Sequence, residues 1–419
     1  MKRRSVLLGT AGLAGAGWLL RPTDTGENHA PYFQALSEGL GQQGRAVPTL
    51  VIDRNALHEN IATLKRHIDD RFAYRIVAKS LPSLPLLEEV MKYSGSNRLM
   101  LFNQPFINQV AVAFPEADVL LGKPMPVAAA RSFYAEYSGG PFTASQQLHW
   151  LLDTPERVRQ YAALASELGE TLSICIELDV GLHRGGVSND FDFLEMLTLL
   201  QGSEHLKFRG LMGYEPHIVK VPGNPETYRD ASMAAYSHYL ELARNTLAAD
   251  WPVAPILNAA GSPTYQLYDR GDYPFNELAA GSCLVKPSDF DLPSLEDHIA
   301  ASYIAAPVLK RLEQTRIPGI DLGKLQAMWN PNRERAFFTY GGYWKAEPVS
   351  PRGLSTNPLY GRSTNQELFN GSSSVDLQPD DWVFLRPTQS EFVFLQFGDI
   401  AVYEAGRVTE QWPVFMTEA

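Results

Sequence analysis

Three short runs in the chain set chemically capable groups at the ends of apolar segments. In "YRIVAKS", Lys79 directly follows an apolar stretch, a position that draws an amine partly out of water and leaves it usable as a nucleophile. In "LSICIELDVGLHRGG", residues 172–186, alternation puts Ile174, Ile176, Leu178 and Val180 on one side of a strand and Cys175, Glu177 and Asp179 on the other. His183 and Arg184 then close the run before a glycine pair. The third run, "LNAAGSPTYQ", residues 257–266, offers Gly261, Ser262 and Thr264, whose backbone amides and hydroxyls suit a phosphate, and "NELAAGS" adds Gly281 and Ser282. An amine nucleophile beside a phosphate cradle points to a phosphorylated aldehyde held by the lysine, that is, pyridoxal phosphate. Each run also has an ordinary reading: a solvated lysine, ion pairing at a strand end, a plain turn.

These groups need a scaffold that brings strand ends together. From Pro48 onward short apolar runs alternate with segments of helical periodicity, the pattern of a parallel α/β fold. Strand candidates begin at residues 49, 73, 98, 118, 148, 173, 207, 255 and 277. Helix signals lie between them, such as "DTPERVRQYAALASELGE" with Asp153 or Thr154 as N-cap and Gly169 as stop, or "LPSLPLLEEVMKYSG" ending at Gly95. With the first candidate assigned to the junction with the preceding tail, eight strands from Ala73 to Val285 form a (β/α)8 barrel, whose active site collects at the carboxy-terminal strand ends. Phosphate sites in barrels commonly follow strands seven and eight, where the two glycine-serine turns fall, and closure makes them neighbours of Lys79. After Ile304 the texture changes to β-prone stretches such as "RAFFTYGG", "DWVFLRP" and "EFVFLQFGDIAVYEAGRV" separated by Gly, Asn and Pro. The expected organisation is a signal and linker over 1–46, a barrel over 47–300, and a mainly-β domain over 301–419 that takes in the strand near 49–52.

The amino terminus, "MKRRSVLLGTAGLAGAGWLL", sets Arg3 and Arg4 before an apolar run, the form of an export signal. The run is short for a membrane span, and the arginine pair before Ser5 favours the twin-arginine route to the periplasm. Residues 21–46, rich in Gly, Gln, Thr and Pro, read as a linker. A net charge of -11 over 419 residues leaves no basic footprint for nucleic acid. Two cysteines, Cys175 and Cys283, are too few for a disulfide framework or thiolate metal site.

In order along the chain, "VPTLVIDRNALHENI", "YRIVAKS", "IELDVGLHRGGV", "FRGLMGYEPH", "AAGSPTY" and "NELAAGS" resemble fold-type III pyridoxal phosphate enzymes. The similarity is greatest to the D-threonine aldolase and D-serine dehydratase group, and more distant to the alanine racemases. The resemblance implies that Lys79 carries the cofactor as a Schiff base, with Arg75 four residues earlier, and that Gly261, Ser262 and Thr264 form the phosphate turn. It places Tyr214 and His217 along the cofactor pocket, Asp179, His183 and Arg184 at the charged strand end, and Cys175 under the ring. It also implies a homodimer. One stretch departs: where the relatives hold a metal with a His-x-Cys or His-x-Asp pair, "LRPTQSEFVF" has Gln389 and Glu391. An amide and a carboxylate are harder ligands than imidazole and thiolate, so a hard cation, no metal, or a changed reaction are all open.

The expected function is an exported lyase, aldolase or dehydratase, acting on a β-hydroxy D-amino acid with Lys79 as nucleophile and base and Tyr214 and His217 as catalytic partners. The alternatives are a racemase or another metal-free activity at Cα, whose second base would come from Tyr265, Tyr214 or His217, and a cofactor-binding protein with little turnover. A sugar-binding barrel leaves Lys79 and the phosphate turn without a purpose.

Overall fold

A computed structural model describes residues 21–137, 139–315 and 329–416. The export signal expected at residues 1–20 lies outside the described residues. The chain forms two compact units, one comprising residues up to Asp53, Ser302–Thr388 and Ile400–Gln411, the other Arg54–Ala301, Gln389–Asp399 and the residues from Trp412 onward.

In the first unit β1 (Thr49–Asp53) joins a nine-stranded sheet that otherwise comes from late in the chain. The second unit is a closed parallel barrel of β2 (Ala73–Val77), β3 (Arg98–Leu101), β4 (Asp118–Leu121), β5 (Leu148–Leu152), β6 (Leu172–Leu178), β7 (Leu206–Gly213), β8 (Ile256–Ala259) and β9 (Glu277–Ala280). Helices separate the strands, as the alternating pattern of the sequence requires. The helix Leu84–Ser94 starts on the Ser83 hydroxyl and stops at Gly95 in the left-handed region, while Pro155–Leu168 is capped by Thr154 and stops at Gly169, the chemistry expected of helix ends. Closure pairs Ala73 with Glu277 and Ile76 with Ala280, which brings the chain after β2 beside the chain after β9.

The remaining strands of the sheet are β10 (Ser302–Leu312), β11 (Arg335–Tyr340), β12 (Ala346–Ser350), β13 (Ser355–Thr356), β14 (Gln366–Gly371), β15 (Trp382–Pro387), β16 (Asp399–Glu404) and β17 (Arg407–Pro413). β1 pairs antiparallel to β10 and parallel to β16. The stretch read as a linker contains the helix Pro31–Gln42, which corrects that expectation. Phe33, Leu36 and Leu40 recur at helical spacing, and they pack with Val51, Ala305, Phe384 and Ala401 of the sheet. A second correction concerns "EFVFLQF", expected as strand. It forms the helix Glu391–Phe394 and a 3-10 turn Leu395–Phe397. The neighbours Val393 and Phe394 are both buried while Phe392 is exposed, a pattern that a strand's strict alternation does not give.

Inside the barrel Arg75 is fully buried and bonded to Glu277 at 2.5 and 2.8 Å, to Asp118 Oδ1 at 2.6 Å and to the Leu99 carbonyl at 3.0 Å. Burial opposes ionisation of both carboxyls, but the guanidinium between them holds Asp118 and Glu277 below the usual carboxylate range. Both cysteines are free and buried. No helix among the described residues is long and apolar enough to cross a membrane.

Candidate active site

A cavity open to solvent lies among residues at and beyond the ends of the barrel strands. Lys79, just beyond β2, lines it with Ser80; Met100 and Phe102 come from the end of β3, Met212 and Tyr214 from that of β7. Gly261, Ser262, Gly281 and Ser282 come from the turns after β8 and β9, and Arg184 and Glu391 complete the polar lining. Lys79 Nζ stands 4.7 Å from the centre of the Phe102 ring and 2.8 Å from Glu391 Oε1. Phe102 in turn leaves no room for a side chain at residue 122, where a Cβ would come within 2.1 Å of its Cζ.

The turns after β8 and β9 line the same cavity with hydroxyls and backbone amides. Ser80 Oγ and Ser282 Oγ are 2.8 Å apart, and Ser262 Oγ accepts from the amides of Gly281 and Cys283 at 3.0 and 3.1 Å. The glycines permit close approach: a Cβ on Gly261 would sit 2.6 Å from the Tyr214 ring, and one on Gly281 would sit 2.6 Å from the Val77 carbonyl. The turn begins with Ala260 at φ +65°, a conformation that costs a non-glycine residue energy and needs support from its surroundings. That support is Glu215. Its buried carboxyl accepts bonds from the Ala260 amide (3.4 Å), the Thr264 hydroxyl (3.3 Å) and the Tyr268 hydroxyl (3.0 Å), and burial pushes its pKa up to about 7.

The expected site residues separate into three groups. Lys79, Tyr214, Arg184, Gly261, Ser262, Gly281 and Ser282 line one cavity. Arg184 carries its guanidinium 5.1 Å over the Tyr214 ring, and burial pushes the Tyr214 hydroxyl up to about 12. Arg75, Cys175 and Thr264 support it without lining it. Arg75 is committed to the barrel's ion pairs, the fully buried Cys175 has its thiol pushed up by burial, and Thr264 bonds the Gly261 amide and Glu215.

Asp179, His183 and His217 form the third group. Asp179 accepts from the Gly181 and His183 amides, both at 3.0 Å, and meets His183 Nδ1 at 2.8 Å, so this pair shapes the loop after β6. Burial lowers the His217 pKa, and His217 packs on Gly181 with its Nδ1 unpartnered among the described residues. Asp179 reaches only a narrow recess, shared with Glu177, Arg184 and Tyr214, in which burial raises Glu177 to about 7.

The residues at the expected metal positions diverge in role. Gln389 donates to Asp289 at 3.0 Å, whereas Glu391 faces Lys79. Among the described residues no three His, Cys, Asp or Glu side chains gather as a metal site. Glu215 and the pairing of Glu391 with Lys79 escaped the sequence reading. Glu215 stands between Tyr214 and His217, and its carboxyl in "GYEPH" is the signal the sequence offers for it.

The donor set fits pyridoxal phosphate. One amine stands against an aromatic ring, while a separate cluster of hydroxyls and amides, with glycines where a Cβ would collide, offers a phosphate its hydrogen bonds.

Residues 52–289 match the family model described as alanine racemase, N-terminal domain. No curated protein matches the sequence. Among solved structures, D-threonine aldolase from Filomicrobium marinum is similar with a TM-score of 0.71 at 15% identity, over 88% of this chain and 95% of that one. D-threo-3-hydroxyaspartate dehydratase from Delftia sp. HT23 gives 0.66 at 17% over 89% and 98%. Alanine racemase from Bacillus anthracis gives 0.65 at 15% over 88% and 98%. At these identities the likeness is one of fold.

Proposed function

The chain belongs to the alanine racemase N-terminal domain family, and we propose that it is an exported pyridoxal-phosphate-dependent lyase acting on a β-hydroxy D-amino acid. The observation that carries this reading is Lys79 Nζ in the same cavity as the Ser262 and Ser282 turns. Lys79 would hold the cofactor through its amine, and Ser80, Ser262, Ser282 and the adjoining backbone amides would hold the phosphate. Bound there, the cofactor supplies an electron sink that stabilises negative charge at the substrate's Cα. The protein's part is to orient the amino acid and move protons. Arg184, fixed over Tyr214, offers a cation to the substrate carboxylate or the cofactor's phenolic oxygen. Lys79, once displaced, is an amine able to take a proton on its own face.

A racemase is the second reading, favoured by one observation: Tyr214 lines the cavity. Of the other candidates for a second base, Tyr265 bonds His298 Nε2 at 2.6 Å and His217 packs on Gly181, and neither lines it. The twin-arginine export step and the homodimer belong to the proposal as well. The first is tested by fractionating cells that produce the full chain or its R3K/R4K variant, the second by light scattering.

The deciding experiment reconstitutes wild type and Lys79→Ala with pyridoxal phosphate and offers D-threonine, D-serine and D-alanine, with product analysis. Lyase action releases an aldehyde or a 2-oxo acid, and the variant loses it by more than about a thousandfold. Isomerised substrate alone selects the racemase, and cofactor uptake with no product selects a binding protein. Equal uptake of cofactor by both proteins, with no covalent trapping on Lys79 by borohydride, refutes the assignment.

A further inference from the structure

Glu215 is fully buried, and the three donors that reach it, the Ala260 amide, the Thr264 hydroxyl and the Tyr268 hydroxyl, are all neutral. The ionisable groups that feel its charge are Tyr214 beside it in the chain, Tyr268 beyond β8, and Tyr236 on the helix Pro225–Leu247. Burial raises all three phenols above their ordinary value, so none of them carries charge near neutrality. Of the cations on the surrounding elements, Arg184 lies over the Tyr214 ring at 5.1 Å and Arg229 pairs with Asp230 at 3.1 Å. The carboxyl therefore sits in the fold with hydrogen bonds and no counter-charge.

Thr264 is placed to serve both of its charge states. Its Oγ1 accepts from the Gly261 amide at 3.2 Å and lies 3.3 Å from Glu215 Oε1 and 3.5 Å from the Gly261 carbonyl. A hydroxyl has one proton to donate and two lone pairs. With Glu215 ionised, the threonine proton goes to the carboxylate. With Glu215 neutral, the carboxyl proton is donated to Thr264 Oγ1 and the threonine proton turns to the Gly261 carbonyl. Each arrangement keeps the two side chains bonded, so the turn holds its shape whether or not Glu215 carries a proton.

This is the turn that presents Gly261 and Ser262 to the cavity. A phosphate dianion received there lies on residues adjoining Ala260, whose amide Glu215 holds. Like charges in a poorly screened region disfavour each other, and the carboxyl, already raised to about 7 by burial, is the partner able to take a proton.

We propose that Glu215 couples phosphate binding to proton uptake: the turn accepts a phosphate with Glu215 neutral and holds it less tightly when Glu215 is ionised. The inference rests on the cofactor reading and adds to it a positioning residue that acts through Thr264 and the backbone of the turn without touching the phosphate.

The test counts protons. Pyridoxal phosphate is titrated calorimetrically into full-length protein freed of cofactor, wild type and Glu215→Gln, in pairs of buffers that differ in ionisation enthalpy, at about pH 6 and about pH 7.5. Protons that belong to the cofactor and to Lys79 are common to both proteins and cancel in the difference. Wild type should take up about half a proton more than Glu215→Gln at about pH 7.5 and almost none more at about pH 6, where the free carboxyl is already protonated. Its affinity relative to the variant should fall about threefold per pH unit across that interval. A second arm needs no variant: pyridoxal, which lacks the phosphate, is titrated into wild type at about pH 7.5, where a phosphate ester is already mostly a dianion, and should show the smaller uptake. Equal proton counts in wild type and Glu215→Gln, with an affinity ratio that does not change with pH, overturn the proposal and leave Glu215 a purely structural group. Equal counts for pyridoxal and pyridoxal phosphate in wild type overturn it as well, even if the variant fails to fold. Failure of pyridoxal phosphate to bind wild type at either pH overturns the cofactor reading instead.

Discussion

Replacing Glu215 by Gln removes a pH-dependent burden from the turn that follows β8. Burial raises this carboxyl from its ordinary value of 4.5 to about 7, against the opposing effect of the Tyr268, Ala260 and Thr264 donors. Between those values the folded protein keeps a proton that the unfolded chain has released. Stability from this group is therefore complete below about pH 4.5 and is lost as pH rises through 7. At about 1.4 kcal/mol per pH unit the loss amounts to about 3 kcal/mol. Glutamine does not titrate, but its amide presents a donor where the carboxyl presented an acceptor, costing about 1 kcal/mol at every pH. The two stability profiles should cross: the variant is weaker by about 1 kcal/mol in acid and stronger by about 2 kcal/mol near pH 8. Urea unfolding of the cofactor-free proteins across this range, read by far-ultraviolet circular dichroism, measures both limbs. Parallel profiles from pH 4.5 to 8 would falsify the assignment of Glu215 as a buried, proton-retaining carboxyl.

Two further substitutions probe the walls of the site. Gly122→Ala drives a methyl group into the Phe102 ring beneath Lys79, so thermal melting should show a loss of about 1–3 kcal/mol and cofactor uptake should weaken in parallel. Uptake equal to wild type would mean that Phe102 moves without disturbing the amine. Thr264→Val keeps the volume but removes the hydroxyl shared by Gly261 and Glu215. It should cost about 1–3 kcal/mol and speed cofactor loss on dialysis, while leaving Lys79 reactive toward a simple aldehyde trapped with cyanoborohydride.

The barrel is legible in the sequence because most of its strands are buried on both faces and read as largely apolar runs between helix signals, β7 with its exposed Lys207 being the exception. Lys79 and the two glycine-serine turns are legible for the same reason: each stands where an apolar run stops. What sequence alone does not show is which polar group meets which. Asp179 and His183 look like cofactor ligands by position, yet four residues of separation let them satisfy each other across a turn. Thr264 looks like a phosphate ligand, but its hydroxyl is spent on the turn itself. Phe392 and Phe394 imitate strand alternation, and only burial of the adjacent Val393 and Phe394 reveals the helix that carries Glu391. Phe33, Leu36 and Leu40 form an apolar stripe too short and too diluted by Gly and Gln to stand out from a linker.

The chain passes between its two units five times, at residues 53/54, 301/302, 388/389, 399/400 and 411/412. The carboxylate that meets Lys79 is thus supplied from a segment inserted between strands of the other unit. On the ribosome the lysine and both phosphate turns are finished well before Glu391 is joined to the chain. A translation product that stops early, or a barrel excised at Ala301 for expression, keeps the amine and lacks its acidic neighbour. The Lys79–Glu391 pair is therefore complete only once nearly the whole polypeptide has been made, and a truncated product lacks it.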